Sequence, residues 1–129
     1  MRHLTTQLLA PRHRIRWRLL LASLLLVVSW FAFSPANPAQ PFSHADKFEH
    51  VLAFGCLALV ASLAWAPGWR MVMGVTAGLL LYGGFIETVQ SLLPGRVASW
   101  ADLLADAAGI AAGLIVAQAV RGTRADTRA

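Results

Sequence analysis

Residues 19–33 read LLLASLLLVVSWFAF, a run without a charged side chain that follows arginines at positions 12, 14, 16 and 18. A basic flank followed by an apolar run is typical of a signal peptide or of a first membrane anchor. The next segment, SPANPAQP, has no clean A-x-A cleavage site, and more apolar runs come after it. We therefore interpret residues 19–33 as a retained anchor.

Three further runs, 51–66, 71–86 and 107–120, also lack Asp, Glu, Lys and Arg. Runs of this length fall short of a hydrocarbon core of about 30 Å, so each helix must extend into its polar flanks. All six prolines lie outside the runs, and the five tryptophans lie at or near their ends, as membrane helices require. The sequence predicts an all-α membrane bundle of four helices, at about 17–34, 46–66, 70–93 and 100–120.

Composition supports a membrane protein with one domain, because 57% of the 129 residues are hydrophobic and only 13% are charged. Soluble domains carry about 25% charged residues. The net charge of +5 does not indicate nucleic-acid binding, since the arginines lie at segment ends and form no stripe with interleaved aromatic residues. With Cys56 as the single cysteine, no internal disulfide and no cysteine-based metal framework is possible. We expect no cofactor and no resident metal.

Charge placement predicts the orientation in the membrane. The domain would comprise a basic cytoplasmic segment 1–16, the transmembrane bundle 17–120 and a polar cytoplasmic tail 121–129. With the N-terminus inside, the basic residues on the outer side are only Lys47 and Arg96. The inner side then holds Arg2, Arg12, Arg14, Arg16, Arg18, Arg70, Arg121, Arg124 and Arg128. We expect both termini to be cytoplasmic.

A second group of polar residues lies at the predicted helix ends that face the outer side of the membrane. Helical spacing places Asp46 and His50 on one face, and Glu87 and Gln90 on another. Polar side chains at membrane depth are costly when they face lipid, so helices two, three and four are expected to converge on a shared polar site. The residues concerned are Asp46, Lys47, His50, Glu87, Gln90, Arg96, Asp102 and Asp106.

Simpler structural roles remain open for several of these residues. Ser43-x-x-Asp46 and Ser99-x-x-Asp102 both match the capping box that begins a helix. Lys47 and Arg96 could extend toward water without binding anything, and the whole set could be a hydrogen-bond network that only holds helices together. The G-x-x-x-G pairs Gly74/Gly78 and Gly109/Gly113 are consistent with close helix packing.

These residues also carry a family resemblance. The string Asp46-Lys-Phe-Glu-His50 with Phe54, then Glu87-Thr-Val-Gln90 with Pro94-Gly-Arg96, then Ser99-Trp-Ala-Asp102 with Asp106 to Gly109, resembles the VanZ-like family of small bacterial membrane proteins, over roughly residues 42–118. The resemblance implies a multi-pass protein of the bacterial inner membrane, related to low-level teicoplanin resistance, with the eight polar residues above as motif residues. Where this chain has Asp106, the family commonly has Asn.

Three functional hypotheses follow. In the first, the polar site binds an anionic lipid-linked or cell-envelope intermediate, with Lys47 and Arg96 contacting phosphate. In the second, the chain is an intramembrane hydrolase in which His50, Glu87 and Asp102, or Asp106, act as acid and base or ligate a metal, although no local motif such as H-E-x-x-H is present. In the third, it is a structural or proton-linked partner subunit. Membrane lipids are the expected partners, and the oligomeric state is open.

Overall fold

The structure, a computed structural model, describes residues 11–34, 44–94 and 99–122; at Pro11 and at positions 44–46 only the backbone is described. A short 3₁₀ turn, Pro11–His13, leads into four α-helices within these residues, and no strand occurs among them. The helices are α1 (Arg14–Phe33), α2 (His44–Ala64), α3 (Trp69–Gln90) and α4 (Trp100–Gly122). The predicted all-α architecture is confirmed.

Each helix is long and apolar enough to cross a membrane. They contain between 20 and 23 residues, which corresponds to about 30 Å or slightly more along the axis. The helices reach this length because each extends beyond its apolar run into polar residues. The chain is therefore a multi-pass membrane protein, and its many exposed large apolar side chains, such as Leu81, face the lipid.

Two helix ends differ from the sequence expectation by a few residues. Helix α1 begins at Arg14, before residue 17, so that its first turn includes part of the basic flank. Helix α3 ends at Gln90 instead of near residue 93. The next residues form tight turns, in which the backbone N–H groups of Leu92 and Leu93 donate to carbonyls three residues earlier, just before Pro94 stops the chain from continuing as a helix.

Helix α2 lies at the centre of the bundle and contacts the other three helices. Its Phe54, Leu57, Ala58 and Ala61 are almost completely buried. The core that they form is completed by Val75, Leu79, Ile86 and Ile110. Helix α1 has no buried residue and packs on the outside of this core through partly buried leucines. Because α1 only covers one side of the core, the other three helices determine the geometry of the interior.

Helices α2 and α4 run parallel and approach backbone to backbone. A Cβ atom added at Gly109 would collide with the Val51 carbonyl oxygen, and one added at Gly113 would collide with the Gly55 carbonyl oxygen. Only glycine leaves room for this approach, which is stabilised by dispersion and backbone contacts. The Gly109/Gly113 pair is thus a packing contact of this bundle.

The other G-x-x-x-G pair has no such role within the described chain. A Cβ atom at Gly74 or Gly78 would meet nothing within 4 Å, and both residues are exposed. The same spacing therefore marks a helix contact on α4 and an open surface on α3. Spacing alone does not distinguish the two, because it does not say which face a neighbour covers.

The end of the bundle that holds the start of α1 and the end of α4 is rich in arginine. The Arg121 guanidinium donates to the Ser62 and Trp65 carbonyl oxygens, where α2 ends. Arg18 lies over the Trp65 ring at 5.4 Å from its centroid. These contacts satisfy carbonyls that a helix C-terminus leaves without partners, and place positive charge where the helix dipole is negative.

The glycine contact between α2 and α4 gives a direct test. Gly113→Ala is expected to lower the unfolding free energy by about 1–3 kcal/mol, because the new methyl group overlaps the α2 backbone. Thermal or denaturant unfolding of the protein purified in detergent would measure the loss. Gly78→Ala is the matched control and should leave stability unchanged or slightly raised; equal losses in the two variants would contradict the packing described.

Candidate functional site

Five polar side chains meet at the bundle end opposite the arginines. They come from the first turns of α2, the last turn of α3 and the first turns of α4, and together they are called the polar cluster: Lys47, His50, Glu87, Asp102 and Asp106. All five belong to the set that the sequence placed on one shared site. Because α2 and α4 are parallel, both helix N-termini lie at this end, where their dipoles favour negative charge.

An ion pair at the rim of the polar cluster joins α2 to α4. Lys47 Nζ donates to Asp102 Oδ1 at 2.9 Å. The Asp102 side chain is 8% exposed, whereas that of Lys47 is 46% exposed. The carboxylate is thus buried while the ammonium group reaches the surface of the bundle.

A second α2–α4 contact lies deeper. His50 Nδ1 and Asp106 Oδ1 are hydrogen-bonded at 2.8 Å, and the Asp106 side chain is 1% exposed. The His50 ring lies parallel to that of Phe54, with centroids 6.5 Å apart, which is an offset-stacked arrangement. The other Asp106 oxygen, Oδ2, faces Gly83 on α3, where an added Cβ atom would strike it. A side chain on α3 at this position would displace Asp106.

Glu87 brings α3 into the polar cluster. Its Oε2 accepts a hydrogen bond from the Ser99 backbone N–H at 2.7 Å, while its buried Oε1 has no hydrogen-bond partner in the described part of the chain. One ligand-type atom each from His50, Glu87 and Asp102 lie within 4.8 Å of one another. Three helices therefore present an imidazole and two carboxylates to the same small space.

The capping box predicted at Ser99 forms only in part. Ser99 Oγ accepts the Ala101 N–H at 3.2 Å, as an N-cap side chain does. Asp102, however, bonds to Lys47 instead of returning to the Ser99 N–H, and Glu87 accepts that N–H from another helix. The start of α4 is thus capped by a residue of α3, which ties the entry of α4 to the polar cluster.

Gln90 was grouped with these residues on sequence grounds, but its amide is used elsewhere. Its Nε2 donates to the Ala32 carbonyl oxygen at 3.1 Å, near the end of α1. A related contact lies about two helical turns earlier on α3, where the Tyr82 hydroxyl bonds to Ser29 Oγ at 2.7 Å and donates to the Leu25 carbonyl oxygen at 3.1 Å. Gln90 and Tyr82 therefore fasten α1 to α3.

Sequence reasoning did not single out Tyr82 or the Ser99 backbone N–H. Tyr82 had a usable signal, since it is the only tyrosine and its hydroxyl lies within an apolar run where a partner is required. The Ser99 N–H had none, because every residue but proline carries one. The Asp46 side chain, Arg96 and the Ser43 capping box lie outside the described residues.

Fold and site together define a helical multi-pass membrane protein with an acidic and basic cluster buried at one end of its bundle. The VanZ/LLP1 family profile matches residues 5–121, and the chain belongs to this family. The resemblance found in the sequence motifs is thereby confirmed. No curated protein and no solved structure matches the chain.

The Lys47–Asp102 ion pair can be measured by a double-mutant cycle. Lys47→Met is expected to cost about 1–3 kcal/mol of unfolding free energy, since the buried Asp102 loses a charged donor while the partly exposed ammonium limits the gain from the pair. Lys47→Met combined with Asp102→Asn should cost less than the two single changes added together. Glu49→Gln, an exposed neighbour, should change stability by less than about 0.5 kcal/mol. Strictly additive losses would contradict the pairing.

Proposed function

We propose that this VanZ/LLP1-family chain lies in the bacterial inner membrane and binds the anionic headgroup of a lipid-linked or cell-envelope intermediate at its extracytoplasmic side. The observation that carries the proposal is the gradient of exposure across the polar cluster. The Lys47 side chain is 46% exposed at the rim, while His50 is 15% and Asp106 1% exposed beneath it. A cation is offered at the surface, over a buried polar interior.

The position of Lys47 suits a lipid-borne anion. Asp102 holds the Lys47 ammonium group near the start of α2. A helix of this length that crosses the membrane would bring that end to the headgroup region. Phe48 and Leu52, which follow on α2, are exposed apolar side chains. A headgroup at Lys47 would therefore leave its acyl or polyprenyl chain against an apolar helix surface, so that both parts of a lipid are accommodated.

Arg96 is the second expected cation. In the sequence it lies between Glu87 and Ser99, in the segment that joins α3 to α4. The Glu87 side chain accepts a hydrogen bond from the Ser99 backbone N–H, so the two ends of this segment are in contact. An arginine donates two parallel hydrogen bonds to a phosphate, whereas a lysine acts as a point charge. The two residues would thus contribute differently, with Arg96 orienting the phosphate and Lys47 attracting it.

The distribution of arginine supports this orientation. All the described arginines lie at the bundle end opposite the polar cluster, at the starts of α1 and α3 and the end of α4: Arg12, Arg14, Arg16, Arg18, Arg70 and Arg121. Basic residues concentrate on the cytoplasmic side of membrane proteins. The polar cluster would then face outward, where envelope intermediates are exposed.

Family membership supports the biological context. The resemblance of the motif residues to VanZ-like proteins implies a connection with teicoplanin, a drug that acts on the cell envelope. We expect expression of the chain in a susceptible bacterium to raise the teicoplanin concentration needed to stop growth. The variant with both Lys47 and Arg96 changed to alanine should lose this effect.

Headgroup binding is tested by replacing the two cations. Lys47→Ala with Arg96→Ala should weaken binding of farnesyl pyrophosphate to the purified full chain by at least about tenfold, because charge-assisted hydrogen bonds are lost. Titration monitored by tryptophan fluorescence or calorimetry would measure it. Arg70→Ala, at the opposite bundle end, is the control, and farnesol tests whether the charge is required. Unchanged affinity in the double variant would overturn the proposal.

Topology has its own test. A reporter enzyme that is active only outside the cytoplasm should give no signal when fused after Ala129, and a signal when inserted at Gly95, between α3 and α4. The reverse pattern would show that the polar cluster faces the cytoplasm and would exclude an extracytoplasmic ligand. Western blots of both fusions control for expression.

A further inference from the structure

We propose that His50, Glu87 and Asp102 form a binding site for one divalent transition-metal ion, Zn²⁺ or Mn²⁺. The proposal goes beyond anion binding and depends only on the geometry of the polar cluster. Ligand atoms of the three side chains lie within 4.8 Å of one another. Metal–ligand bonds of about 2.0–2.2 Å place ligand atoms roughly 3–4 Å apart, so small side-chain rotations would close the site.

The His50–Asp106 contact is the support that a metal-binding histidine usually has. Such a histidine commonly donates one ring N–H to a carboxylate, which holds the ring and directs the other nitrogen toward the metal. The hydrogen bond of 2.8 Å between His50 Nδ1 and Asp106 Oδ1 makes Nε2 the ring nitrogen that we assign to the metal. The parallel Phe54 ring also holds the imidazole plane. Asp106 is therefore a positioning residue, not a ligand.

Glu87 provides a second, independent indication of a ligand. The residue is 8% exposed, and its Oε1 is buried without a hydrogen-bond partner in the described ranges. A buried carboxylate oxygen is costly unless a donor or a cation satisfies it. The Ser99 N–H holds Oε2 at 2.7 Å, which orients the carboxylate and leaves Oε1 for a metal.

The charge balance of the polar cluster also favours a cation. Among the side chains that the structure describes here, three carboxylates, those of Glu87, Asp102 and Asp106, accompany one ammonium and one imidazole. Lys47 occupies Asp102 Oδ1 from the exposed side, so that Oδ2 is the oxygen assigned to the metal. The Lys47 side chain is 46% exposed, whereas the side chains of the three ligands are more deeply buried.

The ligand set indicates the kind of ion and what it would do. One imidazole nitrogen with two carboxylate oxygens suits Zn²⁺ or Mn²⁺, and three protein ligands leave coordination positions open. An open position accepts water or an oxygen of an anionic group. A metal ion bound here would therefore offer a phosphate-bearing ligand a second positive charge, deeper in the bundle than Lys47.

Metal titration of the purified full chain tests the proposal with the ion alone as the probe. After removal of bound metal by a chelator, the protein in detergent should bind one Zn²⁺ or Mn²⁺ per chain, measured by calorimetry and by elemental analysis after desalting. Glu87→Gln, which keeps the shape of the side chain, should weaken binding by more than about 100-fold, as should His50→Ala. Asp106→Asn should weaken it by about 10-fold, within the range for residues that orient ligands.

Two exposed or partly exposed residues give matched controls. Glu49→Gln and His13→Ala remove the same chemical groups outside the polar cluster and should leave affinity and stoichiometry unchanged. Circular dichroism and the melting temperature show whether each variant is folded. If His50→Ala does not fold, Glu87→Gln alone decides the test. Less than one ion per wild-type chain, or wild-type affinity in Glu87→Gln, would overturn the proposal. Pyrophosphate binding is measured with and without chelator. Binding that persists with chelator present would leave the proposed function standing even if the metal proposal fails.

Discussion

The close approach of α2 and α4 is the contact on which the arrangement of the other groups depends. Gly109 and Gly113 let two parallel helices touch through their backbones, with the Val51 and Gly55 carbonyls where side chains would otherwise be. This contact sets the register between the helices. In that register Lys47 lies opposite Asp102, and one turn deeper His50 lies opposite Asp106. If the helices were held further apart, both pairs would be too far apart for hydrogen bonds.

The third helix completes the polar cluster in a different way. Helix α3 presents Gly83 against Asp106, so the absence of a side chain makes room for a carboxylate at the centre of the bundle. One turn later it presents Glu87, which also holds the start of α4 through the Ser99 N–H. The last turn of α3 thus supports the site and the entry of α4 together. Because lipid offers no hydrogen bonds, such shared contacts are how polar groups are satisfied at membrane depth.

The polar cluster combines three features that support the proposal of a binding site. Its charge is mixed, its exposure falls from Lys47 at the rim to Asp106 in the interior, and a buried oxygen of Glu87 has no partner in the described chain. The simpler contacts of the bundle lie elsewhere. Gln90 and Tyr82 fasten α1 to α3, and Arg121 closes the end of α2 at the opposite side. The Glu87 bond to the Ser99 N–H and the α2–α4 pairs serve both the polar cluster and the packing of the helices in the described chain.

Much of this protein could be predicted from its sequence. Apolar runs with charged and aromatic ends predicted four membrane helices, since lipid excludes exposed backbone polar groups and leaves few alternatives. The cost of exposing charge to lipid predicted that Lys47, His50, Glu87, Asp102 and Asp106 would turn inward. Motif order identified the family, which the profile match over residues 5–121 confirms. These conclusions rest on local composition and on the periodicity of a helix, which the sequence contains directly.

The sequence could not say which inward-facing groups would pair. The capping-box match made Asp102 a candidate cap of its own helix. In the structure Lys47 of α2 pairs with that carboxylate instead, and Glu87 of α3 accepts the Ser99 N–H. Equal glycine spacing on α3 and α4 likewise gave one open surface and one contact. The absence of a local metal motif argued against a metal ion, yet three helices bring His50 and two carboxylates together. Pairing depends on the rotation and register of separate helices, and only the packed bundle determines these.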